Sequence, residues 1–325
     1  MVSISRLSTS IAMATYAGEE YLPEQLASLV RQERPPDELV VTDDSPTDDT
    51  ANIVEAFAKT APFPVRLQRN PTRLGSNRNF ERAASLCSGD LILFADQDDS
   101  WLPHHISRLA QEFERDPTLA VAASNSTYVD DDLNPRGVDL WSSERFTPAD
   151  ARRARAGFRG WVRHRAVAGH GMAFRANLRP LILPFAHGWV YDQWVALTCA
   201  AAGRGTFIPE PLTLHRQHPK QTVGNDARSV KDWYAEAPTL GSNHFQNQLA
   251  MWSALEQRLR SHRALLADPT APEIVAGKIM FLEDRQHIRL GGKLPRIAGA
   301  CRLLFRGDYH RHGRGLLTFG RDALG

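Results

Sequence analysis

Three carboxylates follow directly on an apolar run, Leu91-Ile92-Leu93-Phe94-Ala95 leading into Asp96-Gln97-Asp98-Asp99. Five consecutive apolar residues, bounded by Gly89-Asp90 and by acids, read as a strand covered on both faces, as in a parallel sheet. The acids then stand at its carboxyl end, where open α/β sheets bind ligands. Along an extended chain the two-residue side-chain period aims Asp96 and Asp98 the same way. Two like charges so close repel unless a cation lies between them. Oxygen ligands suit a hard ion, Mg²⁺ or Mn²⁺, that keeps waters and shares a diphosphate. The competing role is helix capping ahead of Pro103, and for Asp99 cap and site stand level.

Asp192 is the second candidate. It begins an apolar helix running through Ala202, so capping accounts for it in part. Between Tyr191 and Trp194 it is also partly desolvated, which raises a carboxyl pKa and suits a general base. The two aromatics themselves read as packing residues. Val167 to Phe174 reads as a strand whose glycines admit a ligand closely, and His170 there is either a ligand contact or a half-buried strand histidine. Leu212 to Gly224 carries His215, Arg216, His218 and Lys220 in a polar stretch, either a surface loop or a lid closing over phosphates.

The elements that must position these groups alternate. Ser10–Ala14, Glu38–Thr42, Val65–Leu67, Leu91–Ala95 and Leu119–Ala123 read as strands. Helical spacing appears in Leu22, Leu26, Leu29 and Val30, then in Ile53, Val54 and Phe57, then from the loop at Gly75 through Ala84, and from Pro103 to Phe113. Right-handed crossovers make the successive strands parallel neighbours. There is no Gly-x-Gly-x-x-Gly turn and no Gly-x-x-x-x-Gly-Lys-Ser/Thr loop, so phosphates must be held by a metal, by Arg73 and Arg78, and by helix amides after Gly75. Asp130 to Pro135 reads as a solvated turn, and Arg152-Arg153-Ala154-Arg155 as a solvated helix face.

Composition sets the outer bounds. With 325 residues, 42% hydrophobic and 23% charged, the chain has the make-up of a globular protein with room for one large α/β domain and an appendage. Three scattered cysteines, Cys87, Cys199 and Cys301, suit neither a disulfide framework nor a zinc knuckle and point to a reducing, cytosolic setting. No secretory leader or spanning apolar run is expected. After Asn225 the pattern turns helical. From Arg285 to Gly325 nine Lys/Arg face two Asp/Glu, interleaved with leucine, isoleucine and phenylalanine, which suits an interfacial helix on anionic lipid or a helical tail packed on the rest. No recognition motif for nucleic acid accompanies that charge.

Six stretches in order resemble the motifs of family 2 glycosyltransferases, in particular the bacterial rhamnosyltransferase-like group: Ala14 to Leu22, Val41 to Ser45, Arg73-Leu74-Gly75 with Asn79-Phe80, Asp96 to Trp101, Tyr191-Asp192-Gln193-Trp194, and Arg216-Gln217-His218. The resemblance implies a GT-A fold, a Rossmann-like nucleotide-binding sheet that is mostly parallel with a mixed second half. It covers about residues 8 to 224. The implied division is a catalytic domain over 1–225, with a nucleotide-sugar half at about 8–124 and an acceptor half at about 125–225, followed by a basic helical extension over 226–325. The implied reaction is inverting, metal-dependent transfer of a sugar from a dTDP- or UDP-linked donor to a saccharide or lipid-linked saccharide in bacterial cell-surface synthesis, at or near the inner face of the membrane. By the same resemblance Ala14, Tyr16, Glu19, Asp44, Gly75, Arg78 and Asp96 bind the nucleotide. Asp98 and His218 hold Mg²⁺ or Mn²⁺, Asp192 is the base, and His170, Trp194, Arg216 and Gln217 line the acceptor site or lid. Ala17, Ser45-Pro46, Gln193 and His170 depart from the usual pattern, and several of these positions belong to the sugar sites.

Two other classes share features with the chain. Asp96-Gln97-Asp98 is superficially similar to the Asp-x-Asp of haloacid-dehalogenase-like phosphohydrolases. There the motif follows the first strand, whereas three β/α units precede it here. An inactive, membrane-bound sugar-nucleotide binder is the other, and the presence of Asp96, Asp98 and Asp192 speaks against it.

Overall fold

The computed structural model describes residues 6–163, 166–218 and 242–324. Strands β1 (Thr9–Thr15), β2 (Glu38–Asp43), β3 (Val65–Arg69) and β4 (Leu91–Asp96) alternate with helices α1 (Leu22–Val30), α2 (Asp49–Ala58) and α3 (Ser76–Leu86). They lie side by side in the order β3-β2-β1-β4, all parallel. Because β1 has β2 on one flank and β4 on the other, the loops leaving these strands diverge and open a crevice at their carboxyl ends. The register puts Ala14 opposite both Thr42 and Asp96 at that edge.

The second half is mixed. In chain order it contains β5 (Ser100–Trp101), α4 (His105–Arg115), β6 (Leu119–Val129), β7 (Pro135–Asp139), α5 (Leu140–Ser143), α6 (Pro148–Arg155), α7 (Phe158–Arg163), β8 (Met172–Arg175), α8 (Arg179–Ile182), α9 (Tyr191–Ala202) and β9 (Arg204–Arg216). Strand β8 runs antiparallel between β4 and β6, β9 lies parallel to β6, and β5 caps β9.

Side-chain alternation divides the core between the two faces of the sheet. Ile11, Met13, Val41 and Leu93 pack with Leu26, Ile106 and Phe113 on one face. Ala12, Val40, Ile92 and Phe94 pack with Phe80, Phe174 and Trp194 on the other. Among the described residues five helices follow, Ser242–Ser261, Ala271–Leu290, Lys293–Phe305, Asp308–His312 and Leu316–Leu324. The first two extend the larger core through Phe245, Trp252, Leu255, Leu259, Ile274 and Val275. Phe281, Ala300, Leu303, Tyr309 and Ala323 close a small core of their own. Beside it the buried Asp322 binds Arg285, Arg289 and the Tyr309 hydroxyl. Among the described residues no helix is long and apolar enough to cross a membrane.

Two expectations are corrected. Residues 167–174 are not one strand: Gly169–Gly171 form a 3-10 turn and only Met172–Arg175 joins the sheet. Nor is the polar stretch after Leu212 a loop from its start, because β9 continues through Arg216, paired with β6 as far as Val129. Its polar side chains turn inward, His215 to the buried Asp99 and Arg216 to the carbonyls of Asp98 and Asp131. Residues 219–224, and the boundary expected near 225, lie outside the described residues.

Candidate active site

The end of β4 is held by its neighbours before any ligand is considered. The Gln97 amide accepts from the Tyr16 backbone N–H at 2.9 Å and donates to the Tyr16 carbonyl at 3.0 Å, so the loops after β1 and β4 move as one. Gly18 lies so close that a methyl there would overlap the Gln97 amide. Asp96 receives the Tyr191 hydroxyl on Oδ1 at 3.3 Å and faces His170 Nδ1 at 3.5 Å from Oδ2. Burial raises the Asp96 pKa, and the neighbouring Asp99 and Asp98 add to that while His170 opposes it.

Asp99 is the structural centre of the cluster and no helix cap, since α4 starts only at His105. It is fully buried, with Oδ1 2.9 Å from His215 Nδ1 and Oδ2 3.0 Å from His170 Nδ1. The Arg216 backbone N–H also donates to Oδ1. Burial works against the Asp99 charge, but His215 and His170 hold its carboxyl well below the usual carboxylate range. Burial likewise opposes a charged His170, yet Asp99 and Asp96 together push its pKa up to about 10. These three groups also have the proximity of a metal set. Each imidazole turns Nδ1 to a separate Asp99 oxygen and the rings stack at 4.4 Å; the His215 contact is a hydrogen bond, whereas Asp99 Oδ2 and His170 Nε2 are buried with no hydrogen-bond partner among the described residues.

Asp98 points elsewhere. Its Oδ2 lies 3.0 Å from His218 Nε2, and the other ring nitrogen of His218 is buried with no hydrogen-bond partner among the described residues. A carboxylate oxygen facing an imidazole nitrogen at the carboxyl end of a parallel strand is a donor pair compatible with Mn²⁺ or Mg²⁺.

Asp192 sits in the first turn of α9, which carries no side-chain N-cap. Asn77 fixes the approach to it, donating to the Trp189 carbonyl at 2.6 Å and accepting the Tyr191 N–H at 3.0 Å. From behind, the Trp189 indole donates to the Met251 carbonyl. Arg258 ties down the carbonyls of Leu181, Leu183 and Pro184. Burial pushes the Asp192 pKa up to about 7; the Gln193 N–H lowers it, Asp96 raises it, and His170 and the Gly169 N–H lower it. Asp192 therefore lies within electrostatic reach of Asp96 and His170, and its proton affinity suits a base working near neutrality.

The remaining expected residues divide. Ala14 borders Asp96 in register, and Tyr16 is exposed beneath the Arg73 guanidinium, 3.8 Å from the ring centroid. Glu19 accepts from the Thr50 hydroxyl at 2.5 Å. Asp44 spends its carboxylate on Asn70 and on the N–H groups of Leu74 and Gly75, shaping the turn before α3, where Gly75 adopts φ 81°. Arg78 pairs with Glu81 rather than with the acidic cluster. The four residues expected to line the acceptor site or lid lie in the interior. His170 is a buried partner of Asp99. Trp194 is fully buried, with its indole on the Ile182 carbonyl. Arg216 is buried, donating to the carbonyls of Asp98 and Asp131 and stacking over Tyr21. Gln217 is buried beside it and bonds to Val129. Sequence reasoning left Asp99 open, read His215 only as one basic group of a loop or lid and Gly169 only as a glycine admitting a ligand, and gave no site role to Tyr191 or Gln97. Only the His-x-x-His spacing of His215 and His218 offered a signal.

The family model for Glycosyl transferase family 2 matches residues 10–178, just over half of the chain and the part that carries β1 through β8. The chain belongs to this family. It spans about a third of the length of curated relatives such as the dTDP-rhamnosyl transferase RfbG of Shigella flexneri, which is 37% identical over 93 residues, 27% of this chain and 32% of that one. The fold is GT-A-like. It resembles S. aureus TarS 1-349 in complex with UDP-GlcNAc, with TM-score 0.54 and 17% identity over 97% of this chain and 90% of that one. It also resembles the Pyrobaculum calidifontis mannosyltransferase PcManGT in complex with GDP-Man and Mn²⁺, with TM-score 0.53 and 18% identity over 93% and 76%.

Proposed function

We propose that this family 2 glycosyltransferase moves a sugar from a nucleoside-diphosphate donor to a hydroxyl acceptor, with inversion at the anomeric carbon, in synthesis of a bacterial cell-surface polysaccharide or glycolipid. The observation that carries this reading is the meeting of Asp96, from the end of β4, with Tyr191 and Asp192, from the start of α9, in one crevice. A strand-end carboxylate on the nucleotide side and a base of near-neutral pKa across from it are what a single displacement needs.

In the proposed step the acceptor oxygen attacks the anomeric carbon as the bond to the donor's diphosphate breaks. Asp192 takes the acceptor's proton, assistance worth about 10²- to 10⁴-fold in rate. Asp98 and His218 are the residues that would hold Mn²⁺ or Mg²⁺, which when bound supplies positive charge against the departing diphosphate. Tyr191 and His170 hold Asp96 in place, and the Gln97 clamp keeps the β1 and β4 loops in one position, a preorganisation that costs nothing during reaction. Ala14, Tyr16, Glu19, Asp44, Gly75 and Arg78 are proposed to shape the nucleotide half, at about 8–124, with acceptor contacts from about 125–225. A dTDP or UDP donor is supported by the likeness to the dTDP-rhamnosyl transferase RfbG and by the UDP-GlcNAc in the TarS complex. The proposed setting is cytoplasmic, with the basic helical extension over 226–325 towards an anionic membrane and a saccharide or lipid-linked saccharide as acceptor.

The test is thermal stabilisation by UDP and dTDP with and without Mn²⁺, followed by turnover of a panel of sugar nucleotides. The expected result is a shift that requires the metal. A shift of equal size in chelator, or none with any nucleotide, overturns the metal-dependent transferase reading.

A further inference from the structure

The helix Lys293–Phe305 buries one side and leaves an apolar stripe on the other. Ala300 and Leu303 face the small C-terminal core. At about 100° per residue, Leu294, Ala298, Cys301 and Phe305 fall within about 60° of one another on the opposite side. Leu294 is 81% exposed and Phe305 91%, and Leu290, at the end of the preceding helix, is 72% exposed. Large apolar side chains this exposed, aligned on one face instead of scattered, mark an interaction surface.

Charge indicates what covers it. Lys293 flanks the stripe on one side and Arg302 and Arg306 on the other, and no Asp or Glu occurs between residues 285 and 307. The next acids are already engaged: Asp308 pairs with Arg306 and Arg311, and Asp322 is buried against Arg285 and Arg289. A second copy of the chain set on the same face would bring Lys293, Arg302 and Arg306 against their own counterparts. Projecting Leu and Phe between Lys and Arg match instead a plane that is negative outside and apolar within.

We infer that the helix Lys293–Phe305 lies flat on an anionic lipid surface, with Leu290, Leu294 and Phe305 in the acyl boundary and Lys293 and Arg302 on the headgroup phosphates, Arg306 being held by Asp284 and Asp308. This names the contact face for the membrane-side enzyme proposed above, and rests on that reading for its setting. The helix is too short to span a bilayer, so the contact is interfacial.

The test uses the full chain and vesicles of phosphatidylcholine with or without phosphatidylglycerol, by co-sedimentation. The wild type is expected to bind only the anionic vesicles and to be released by salt. Leu294→Ser with Phe305→Ser, and separately Lys293→Glu with Arg302→Glu, should each weaken partition by about tenfold or more. Their melting temperatures and their stabilisation by UDP with Mn²⁺ should stay as in the wild type. If the first pair melts early, Phe305→Ser alone carries the test, since that side chain is almost wholly in solvent. A wild type that ignores anionic vesicles, variants that bind as it does, or a dimer that the serine pair converts to monomer would each overturn the inference. Missing vesicle binding with an intact nucleotide shift removes the docking face alone. A missing shift with intact vesicle binding removes the transferase reading alone.

Discussion

The hydroxyl of Tyr191 lies 3.3 Å from Oδ1 of Asp96, joining the first turn of α9 to the end of β4 across 95 positions of sequence. Through this contact the residue next to the proposed base holds the first acid of the proposed donor site. Changes on either side should therefore be felt on the other.

Asp192→Asn is expected to fold and to keep its nucleotide shift while losing about 10²- to 10⁴-fold in kcat. Its stability should move the opposite way. A carboxyl whose folded pKa is about 7, against an ordinary value of 3.8, binds a proton more tightly when folded. Ionising it therefore removes stability from the native state as pH rises between those values. Asparagine does not ionise, so the variant should melt higher than wild type at pH 8, and by a larger margin than at pH 5. Thermal melts at the two pH values, beside kcat, decide the matter, and an unchanged kcat removes Asp192 from the role.

The pH profile of the wild type follows from the same group. With Asp192 required in its ionised form, kcat/KM should rise about tenfold per unit below pH 7 and level off above it. His170 has the opposite sign in stability. Its pKa, raised to about 10, contributes stability that is complete below about 6.5 and lost as pH climbs through 10. An activity profile flat from pH 5 to 8 would contradict the assignment.

Asp99→Ala is expected to be the most damaging single change in the cluster. It leaves His170 and His215 facing each other without the carboxylate between them, and breaking a buried pair costs about 3–5 kcal/mol. His170→Asn should cost less, because Asp99 keeps His215 and the Arg216 N–H. Denaturant melts of the two variants give the order directly, and equal stability would show that the bridge is not central.

Gly169→Ala places a methyl group on the Tyr191 hydroxyl. The phenol must move away from Asp96, and kcat should fall with little change in global stability if α9 yields locally. Tyr191→Phe would leave the ring carbons Cζ and Cε2, which also lie 2.5 and 2.7 Å from that methyl, so Tyr191→Leu is the variant that removes the atoms struck. The double variant Gly169→Ala with Tyr191→Leu should then lose no more activity than Tyr191→Leu alone. That non-additivity, read in a double-mutant cycle, separates a steric coupling from two independent defects.

Much of the fold was legible in the chain because β/α alternation is written locally. Ile106, Leu109 and Phe113 along α4 announce a helix by periodicity, Ile11 to Ala14 announce a strand as an unbroken apolar run, and Asp96 announces itself by closing another such run. The resemblance gave Asp98 and His218 each as a metal residue, but their direct contact at 3.0 Å is a tertiary fact that no local pattern states. What a linear reading could not supply is the burial of polar residues. His170, Arg216 and Gln217 look like lid or acceptor groups in a linear reading, since local pattern equates charge with solvent. In the folded chain they are interior, because Asp99 and the strand carbonyls satisfy them there. Which carboxylate binds which histidine, and that the helix Ser242–Ser261 supports the approach to Asp192 through Met251 and Arg258, depend on contacts between distant segments. Sequence by itself determined the sheet, its strand-end acids and the family. Tertiary structure alone decided that Asp99 is the buried hub, because desolvation and partner choice are properties of the packed interior and not of residue order.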